Sequence, residues 1–163
     1  MGNLDVHIGE ILARNARLYP NDVALIERVP AEGKRREITW KQFDEEANRF
    51  ANVLLKKGIK KGDKVIHLMM NSLDWLIAYF GIVRTGAWAV PLNFRFTGPD
   101  IQYCCDVAEP TCMVFSEEFI DRVNGIKATS CSSIPAAPGS SAFRCRAASG
   151  CWRFSRVAFA AAC

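Results

Sequence analysis

Along residues 1–125 the apolar positions switch between helical and strand-like spacing, and beyond them neither period is sustained. Ile8, Ile11, Leu12 and Leu18 fall on one face of a first helix, which Pro20 ends. Val23–Glu27 reads as a short strand, Pro30 to Arg36 as a charged loop, and Glu37–Thr39 as a second short strand paired with the first. Thr39, with Gln42 three positions on, forms a capping box that opens a second helix. Phe43, Ala47, Phe50, Ala51 and Leu54 carry it at helical spacing to a left-handed cap at Gly58.

Lys64–Met69 reads as a buried strand, and Asn71 or Ser72 caps the helix that follows. Its aromatic-rich face, Trp75, Tyr79 and Phe80 with Leu76 and Val83, is expected to pack on a sheet, and Gly86 stops it. Ala87–Leu92 is the next strand, ended by Pro91 and Asn93. Thr97, Pro99 and Asp100 open a fourth helix, which Glu109–Pro110 breaks. Cys112–Phe115 is another strand, and Glu117–Val123 begins a helix. Strands near residues 65, 88 and 112 lie about 24 residues apart with a helix in each interval, the spacing of right-handed βαβ crossovers. The expected fold class is α/β: alternating helices and mostly parallel strands, with helices packed on the sheet.

Composition divides the chain at the same point. The 163 residues carry 21 basic and 17 acidic side chains, net +4. Every acid lies at or before Asp121, whereas Lys127, Arg144, Arg146, Arg153 and Arg156 follow it. The positive balance therefore belongs to the Ala/Ser/Cys/Arg-rich stretch, and no nucleic-acid partner is expected for the rest. Residues 1–125 are read as the folded part, and 126–163 as a tail that is disordered or out of frame. Arg84 interrupts the apolar run from Trp75 to Val90, so no membrane span is expected. Asp5 and Glu10 stand where a signal peptide would be basic and then apolar, which points to the cytoplasm and to reduced thiols.

Candidate chemistry is sparse. The 7 cysteines are an odd number with no C-x-x-C pair, and His7 and His67 are isolated, so no metal site is expected. There is no G-x-G-x-x-G, no Walker loop and no G-x-S-x-G. Glu45 and Glu46, and likewise Glu117 and Glu118, are neighbours whose side chains diverge by about 100° on a helix, so neither pair can act on one substrate atom. Lys56, Lys57, Lys60 and Lys61 surround the end of the second helix, where they complement its dipole on a solvated surface. No catalytic residue is assigned.

The order of segments nonetheless resembles the acyl-CoA synthetases and related adenylate-forming enzymes. Residues 38–65, ITWKQFDEEANRFANVLLKKGIKKGDKV, resemble a first block of that family, and residues 81–96, GIVRTGAWAVPLNFRF, a second. Residues 97–115, TGPDIQYCCDVAEPTCMVF, resemble the segment that follows in fatty-acid members, and Leu18-Tyr19-Pro20 with Asp22-Val23-Ala24-Leu25 fits the opening. The resemblance covers roughly residues 4–123. It implies an incomplete N-terminal part of the adenylate-forming fold. It also implies an activity that joins a carboxylic acid to ATP, releases pyrophosphate, and passes the acyl group to coenzyme A, with Mg²⁺ on the triphosphate. A medium- or long-chain fatty acid is the default substrate.

The family's working groups are a Ser/Thr/Gly-rich phosphate loop with its lysine, an aromatic-Gly-x-Thr-Glu segment, a ribose-binding aspartate and a lysine in a mobile C-terminal domain. None occurs here. The phosphate loop should follow Phe115 by some tens of residues, where the tail stands instead. A frame shift near residues 124–127 and a truncated segment, inactive by itself, are the expectation. Arg95 matches an arginine that in some relatives contacts the phosphates of coenzyme A, a role that suits a guanidinium fork. The competing reading is a non-catalytic α/β interaction module, or one part of a split enzyme completed by another chain, because a half-built sheet leaves edges and apolar helix faces uncovered.

Overall fold

The computed structural model of the chain describes residues 7–126 and the backbone of 157–160. The capping and breaking residues place most elements where the pattern puts them. In order they are α1 (Ile8–Leu18), β1 (Val23–Val29), β2 (Lys34–Thr39), α2 (Trp40–Lys56), β3 (Lys64–Leu68), α3 (Leu73–Arg84), β4 (Trp88–Pro91), α4 (Gly98–Ala108), β5 (Cys112–Ser116), α5 (Ile120–Asn124) and β6 (Val157–Ala160). The capping box at α2 is formed: the Gln42 N–H donates to Thr39 Oγ1 at 3.2 Å, and the Thr39 N–H to Gln42 Oε1 at 2.9 Å. Ser72, rather than Asn71, caps α3, accepting from the Trp75 N–H at 3.1 Å. At α4 the Asp100 carboxylate accepts from both the Thr97 N–H (2.9 Å) and the Thr97 hydroxyl (2.6 Å).

Two sheets result. β1 and β2 form an antiparallel hairpin with Leu25 opposite Ile38 and Val29 opposite Lys34. The second sheet has the order β4-β3-β5-β6, with β3 parallel to both β4 and β5 and β6 antiparallel to β5. Val65 stands opposite Ala89 on one side and Cys112 on the other, so the near-24-residue repeat is indeed the crossover period. Pro91, which has no N–H, ends β4, the outer strand of this sheet among the described residues, where a missing donor costs least.

Three expectations change. Pro30 to Arg36 is not a loop: Pro30–Glu32 is a single 3-10 turn, and Gly33, at φ 62°, reverses the chain so that β2 begins at Lys34. Charge did not forbid the strand, because both faces of Lys34–Glu37 are exposed and ion pairs link Lys34 to Glu32 and Arg35 to Glu37. The aromatic face of α3 is not its core face: Leu73, Ile77, Ala78, Gly81 and Ile82 are buried, while Trp75, Tyr79 and Phe80 are half-buried at the margin. Inside the Ala-rich stretch, the backbone of 157–160 pairs with β5, Met113 opposite Ala160 and Ser116 opposite Val157. The rest of the predicted tail, 127–156 and 161–163, lies outside the described residues.

The parallel sheet is buried on both faces, which explains the continuous apolar runs of β3 and β5. Val65, Cys112 and Val114 turn to one face and pack with α1, α2 and α3 through Leu12, Ala47, Phe50, Leu54, Ile77 and Ile82. Ile66, Leu68, Met113 and Phe115 turn to the other and pack with Ile101 of α4, Phe119, and the half-buried Leu92, Phe94, Phe96 and Val123.

Candidate functional site

The three parallel strands point their carboxyl ends the same way. The chain leaves β3 to α3 on one face, forms β4, and returns through α4 on the other face to β5 on the far side of β3. Such a reversal of winding leaves a crevice at the carboxyl ends, the usual ligand position of open α/β sheets. The loops there are Met69–Ser72 after β3, Leu92–Phe96 after β4 and the turn from Ser116 after β5. Arg95, the one candidate site residue, lies in the loop after β4 at that end of the sheet.

Its loop is tightly built. The Leu92 N–H donates to the His67 carbonyl at 2.9 Å, extending the ladder one residue past β4. Asn93 then closes a turn twice: its side-chain Oδ1 accepts from the Arg95 N–H at 3.0 Å, and its carbonyl accepts from the Phe96 N–H at 3.0 Å. Phe94 and Phe96 sink toward the α4 face, while Arg95 between them stays exposed. Its guanidinium lies 5.5 Å from the Phe94 ring centroid and forms no ion pair among the described residues. A charged fork held over an aromatic ring and left without a carboxylate is suited to a phosphate.

The lysine cluster sits at the opposite, amino-terminal end of β3. There Asp63 Oδ2 accepts from the Lys60 N–H at 2.7 Å, and Lys64 Nζ donates to the Ala108 carbonyl at 2.7 Å, covering the last turn of α4.

Two residues escaped the pattern. His67, one residue from the carboxyl end of β3, is fully buried. Its Nε2 lies 3.0 Å from Met69 Sδ, its ring stacks on Trp75 at 4.8 Å, and Nδ1 has no protein partner. Burial pushes its pKa down to about 4, so it is neutral at physiological pH. Strand alternation through Val65 and His67 could have flagged it as inward-facing. Arg122 is the other: from α5 its Nη1 donates to the carbonyls of Phe94 (2.8 Å) and Phe96 (3.3 Å). Nothing in the sequence links residue 122 to residue 94.

Cys104 and Cys105 are half-buried and Cys112 is buried. Among the described residues no group of three or more His, Cys, Asp or Glu converges as a metal-binding set. No helix among these residues is long and apolar enough to cross a membrane.

Comparison with known proteins places this architecture. Residues 12–145 match the AMP-binding enzyme family, a match that runs past Gly125 into the Ala/Ser/Cys-rich stretch. A medium/long-chain-fatty-acid–CoA/3-oxocholest-4-en-26-oate–CoA ligase of Mycolicibacterium smegmatis is 34% identical over 121 residues, 74% of this chain and 21% of that ligase. The long-chain-fatty-acid–CoA ligase FadD13 of Mycobacterium tuberculosis is 31% identical over 122 residues, covering 75% of this chain and 24% of that one. Among solved structures, the N-terminal domain of FACL13 from Mycobacterium tuberculosis superposes with a TM-score of 0.68 at 30% identity, over 77% of this chain and 31% of that domain. The anthranilate CoA ligase AuaEII in complex with anthranoyl-AMP gives a TM-score of 0.66 at 30% identity, over 76% and 24% respectively. The chain thus spans about a quarter of the length of the curated relatives it matches.

Proposed function

The chain belongs to the AMP-binding enzyme family, and we propose that it supplies the N-terminal scaffold of an ATP-dependent fatty-acid–CoA ligase, with Arg95 contacting a phosphate of coenzyme A. In that chemistry a carboxylate, a poor electrophile while negative, exchanges its charge for an AMP leaving group before the thiol attacks. The observation that carries the reading is the reversal of winding at the carboxyl ends of β3, β4 and β5, with a guanidinium there that pairs with no carboxylate among the described residues, in a fold shared with acid–CoA ligases. The relatives' names favour medium- and long-chain fatty acids as the acid.

The 163-residue polypeptide is inactive in adenylate formation on this reading, because its sequence holds no Ser/Thr/Gly-rich phosphate loop to grip the triphosphate. The polypeptide, ATP, Mg²⁺ and mixed fatty acids should release no pyrophosphate. Acid-dependent appearance of AMP would overturn the proposal. Arg95 is tested separately with adenosine 3′,5′-bisphosphate as the probe. Arg95→Ala should weaken its binding roughly tenfold, the loss of a charge-assisted contact.

A second reading, one part of a split enzyme or an interaction module, is favoured by uncovered apolar side chains. Ile8 and Ile11 on α1 are 45% exposed, and Tyr103 and Val107 on α4 are 70% and 66% exposed. A monodisperse, stable monomer at high concentration would count against it.

A further inference from the structure

We propose that Arg122 is a positioning residue: it straps α5 across the turn that follows β4 and so fixes the direction in which Arg95 is presented. The ligand part of this inference rests on the phosphate reading of Arg95. The strap itself rests on geometry alone. One Nη1 of Arg122 donates to two carbonyls, Phe94 at 2.8 Å and Phe96 at 3.3 Å, which flank Arg95 on the chain. Tying both carbonyls to one point leaves the residue between them to project away, and Arg95 is exposed while Phe94 and Phe96 are half-buried. The Arg122 guanidinium also rests 5.2 Å from the Phe119 ring centroid, so a ring holds the group as well as the two carbonyls. The ring it rests on, Phe119, is itself buried with Phe115 and Ile101.

A lysine could not do this. Its ammonium is a point charge on a flexible stem, whereas the planar guanidinium combines stacking on a ring with directed N–H donors. The strap also brings charge. Arg122 pairs with carbonyls and forms no ion pair among the described residues, so its positive charge adds to that of Arg95 across the same turn. Two guanidiniums at one short turn, neither paired with a carboxylate among the described residues, favour an anion there.

The test uses the 163-residue chain and two readouts. The Arg95 and Phe96 amides both donate to Asn93, so their hydrogen exchange reports the turn directly. Arg122→Ala should speed exchange at residues 95 and 96 roughly tenfold and leave the β3 amides of Val65–Leu68 unchanged. Arg122→Lys, which keeps the charge and loses the fork, should loosen the turn to the same extent while restoring part of the affinity for adenosine 3′,5′-bisphosphate. For that probe Arg122→Ala should weaken binding severalfold, and the double variant with Arg95→Ala should bind no more weakly than Arg95→Ala alone. Unchanged exchange at residues 95 and 96, or a uniform acceleration that includes β3, would overturn the strap. Additive losses in the double variant would overturn its link to Arg95. Absence of probe binding by the parent chain would remove the phosphate reading of Arg95, and the exchange arm would still decide the strap.

Discussion

The two faces of the parallel sheet are built by different means. On one, α2 is a 17-residue helix that buries Phe43, Ala47, Phe50, Ala51 and Leu54 in one stripe, and it locks against α3 at close range. A side chain at Gly81 of α3 would put its Cβ 2.6 Å from a ring carbon of Phe50 and 3.1 Å from the Ala47 carbonyl. Arg84 adds a polar clamp, donating to the Asp44 carbonyl at 2.9 Å and pairing with its carboxylate. The other face has no such partnership. Of α4 only Ile101 is buried, and the remaining cover comes from Phe119, the Phe94–Phe96 turn and the short α5. One face is a helix-packed core that the chain completes locally. The other is closed by loops, and that is where Arg95 is displayed. Helix packing and loop closure are thus segregated across one sheet.

Large-to-small substitutions measure that asymmetry most strongly. Phe50→Ala should destabilise by about 4–5 kcal/mol, the upper end for a buried ring, because α2 and α3 are fixed against each other and cannot collapse into the space. Phe119→Ala should cost nearer ~3 kcal/mol, since the turn and α5 can relax around the gap. Urea unfolding of both variants checks this. Equal or inverted losses would mean the loop-closed face is as tightly determined as the helical one.

The next effect is in pH. The folded-state pKa of His67 is held down at about 4 by burial, against an ordinary 6.5. Between those values the unfolded chain binds a proton that the folded one does not, so stability is full above about pH 6.5, falls with pH, and levels below about 4. The span corresponds to roughly 3 kcal/mol. His67→Leu should flatten the slope over that window. A profile unchanged by the substitution would show that other groups carry the acid sensitivity. Gly81→Ala comes third, at about 1–3 kcal/mol of overpacking on the α2–α3 contact. Its loss should shrink when Phe50→Leu is added, and a purely additive pair would deny the contact.

Local signals made much of this legible, and tertiary ones did not. Thr39 with Gln42, Ser72, and Glu109 before Pro110 each act within a few residues of chain, so the bounds of α2, α3 and α4 followed from the sequence. The continuous apolar runs of β3 and β5 and their spacing pointed to the parallel sheet. The α3 face was misread because Trp75, Tyr79 and Phe80 are the larger side chains, whereas the close approach of α2 selects small ones, Ala78 and Gly81. The strand at Lys34 was hidden by charges that a hairpin exposed on both faces tolerates. Arg95 was reachable only through family resemblance. His67 was reachable only as an inward-facing strand position, and Arg122 depends on carbonyls in a distant turn, which no spacing rule encodes.

The smallest effect separates the two helix caps, and with them the two faces. At α2 the Thr39 hydroxyl accepts a backbone N–H that would otherwise have no partner, so Thr39→Ala should cost about 1 kcal/mol. At α4 the Thr97 hydroxyl donates instead to the Asp100 carboxylate, which also takes the Thr97 N–H. Asp100 is fully exposed, and these two bonds, the hydroxyl one foremost, hold its pKa below the ordinary 3.8. Replacing Thr97 with Ala removes the hydroxyl and leaves the backbone bond, so α4 should lose less stability than α2 does. The clearer readout is titration of the Asp100 carboxyl by NMR, where the pKa should rise toward its ordinary value in Thr97→Ala. That carboxylate contributes only above its own low pKa, a window below the one governed by His67, so the two titrations can be read apart in one experiment. An Asp100 pKa indifferent to the loss of the Thr97 hydroxyl would make the two caps equivalent and confine the difference between the faces to their cores.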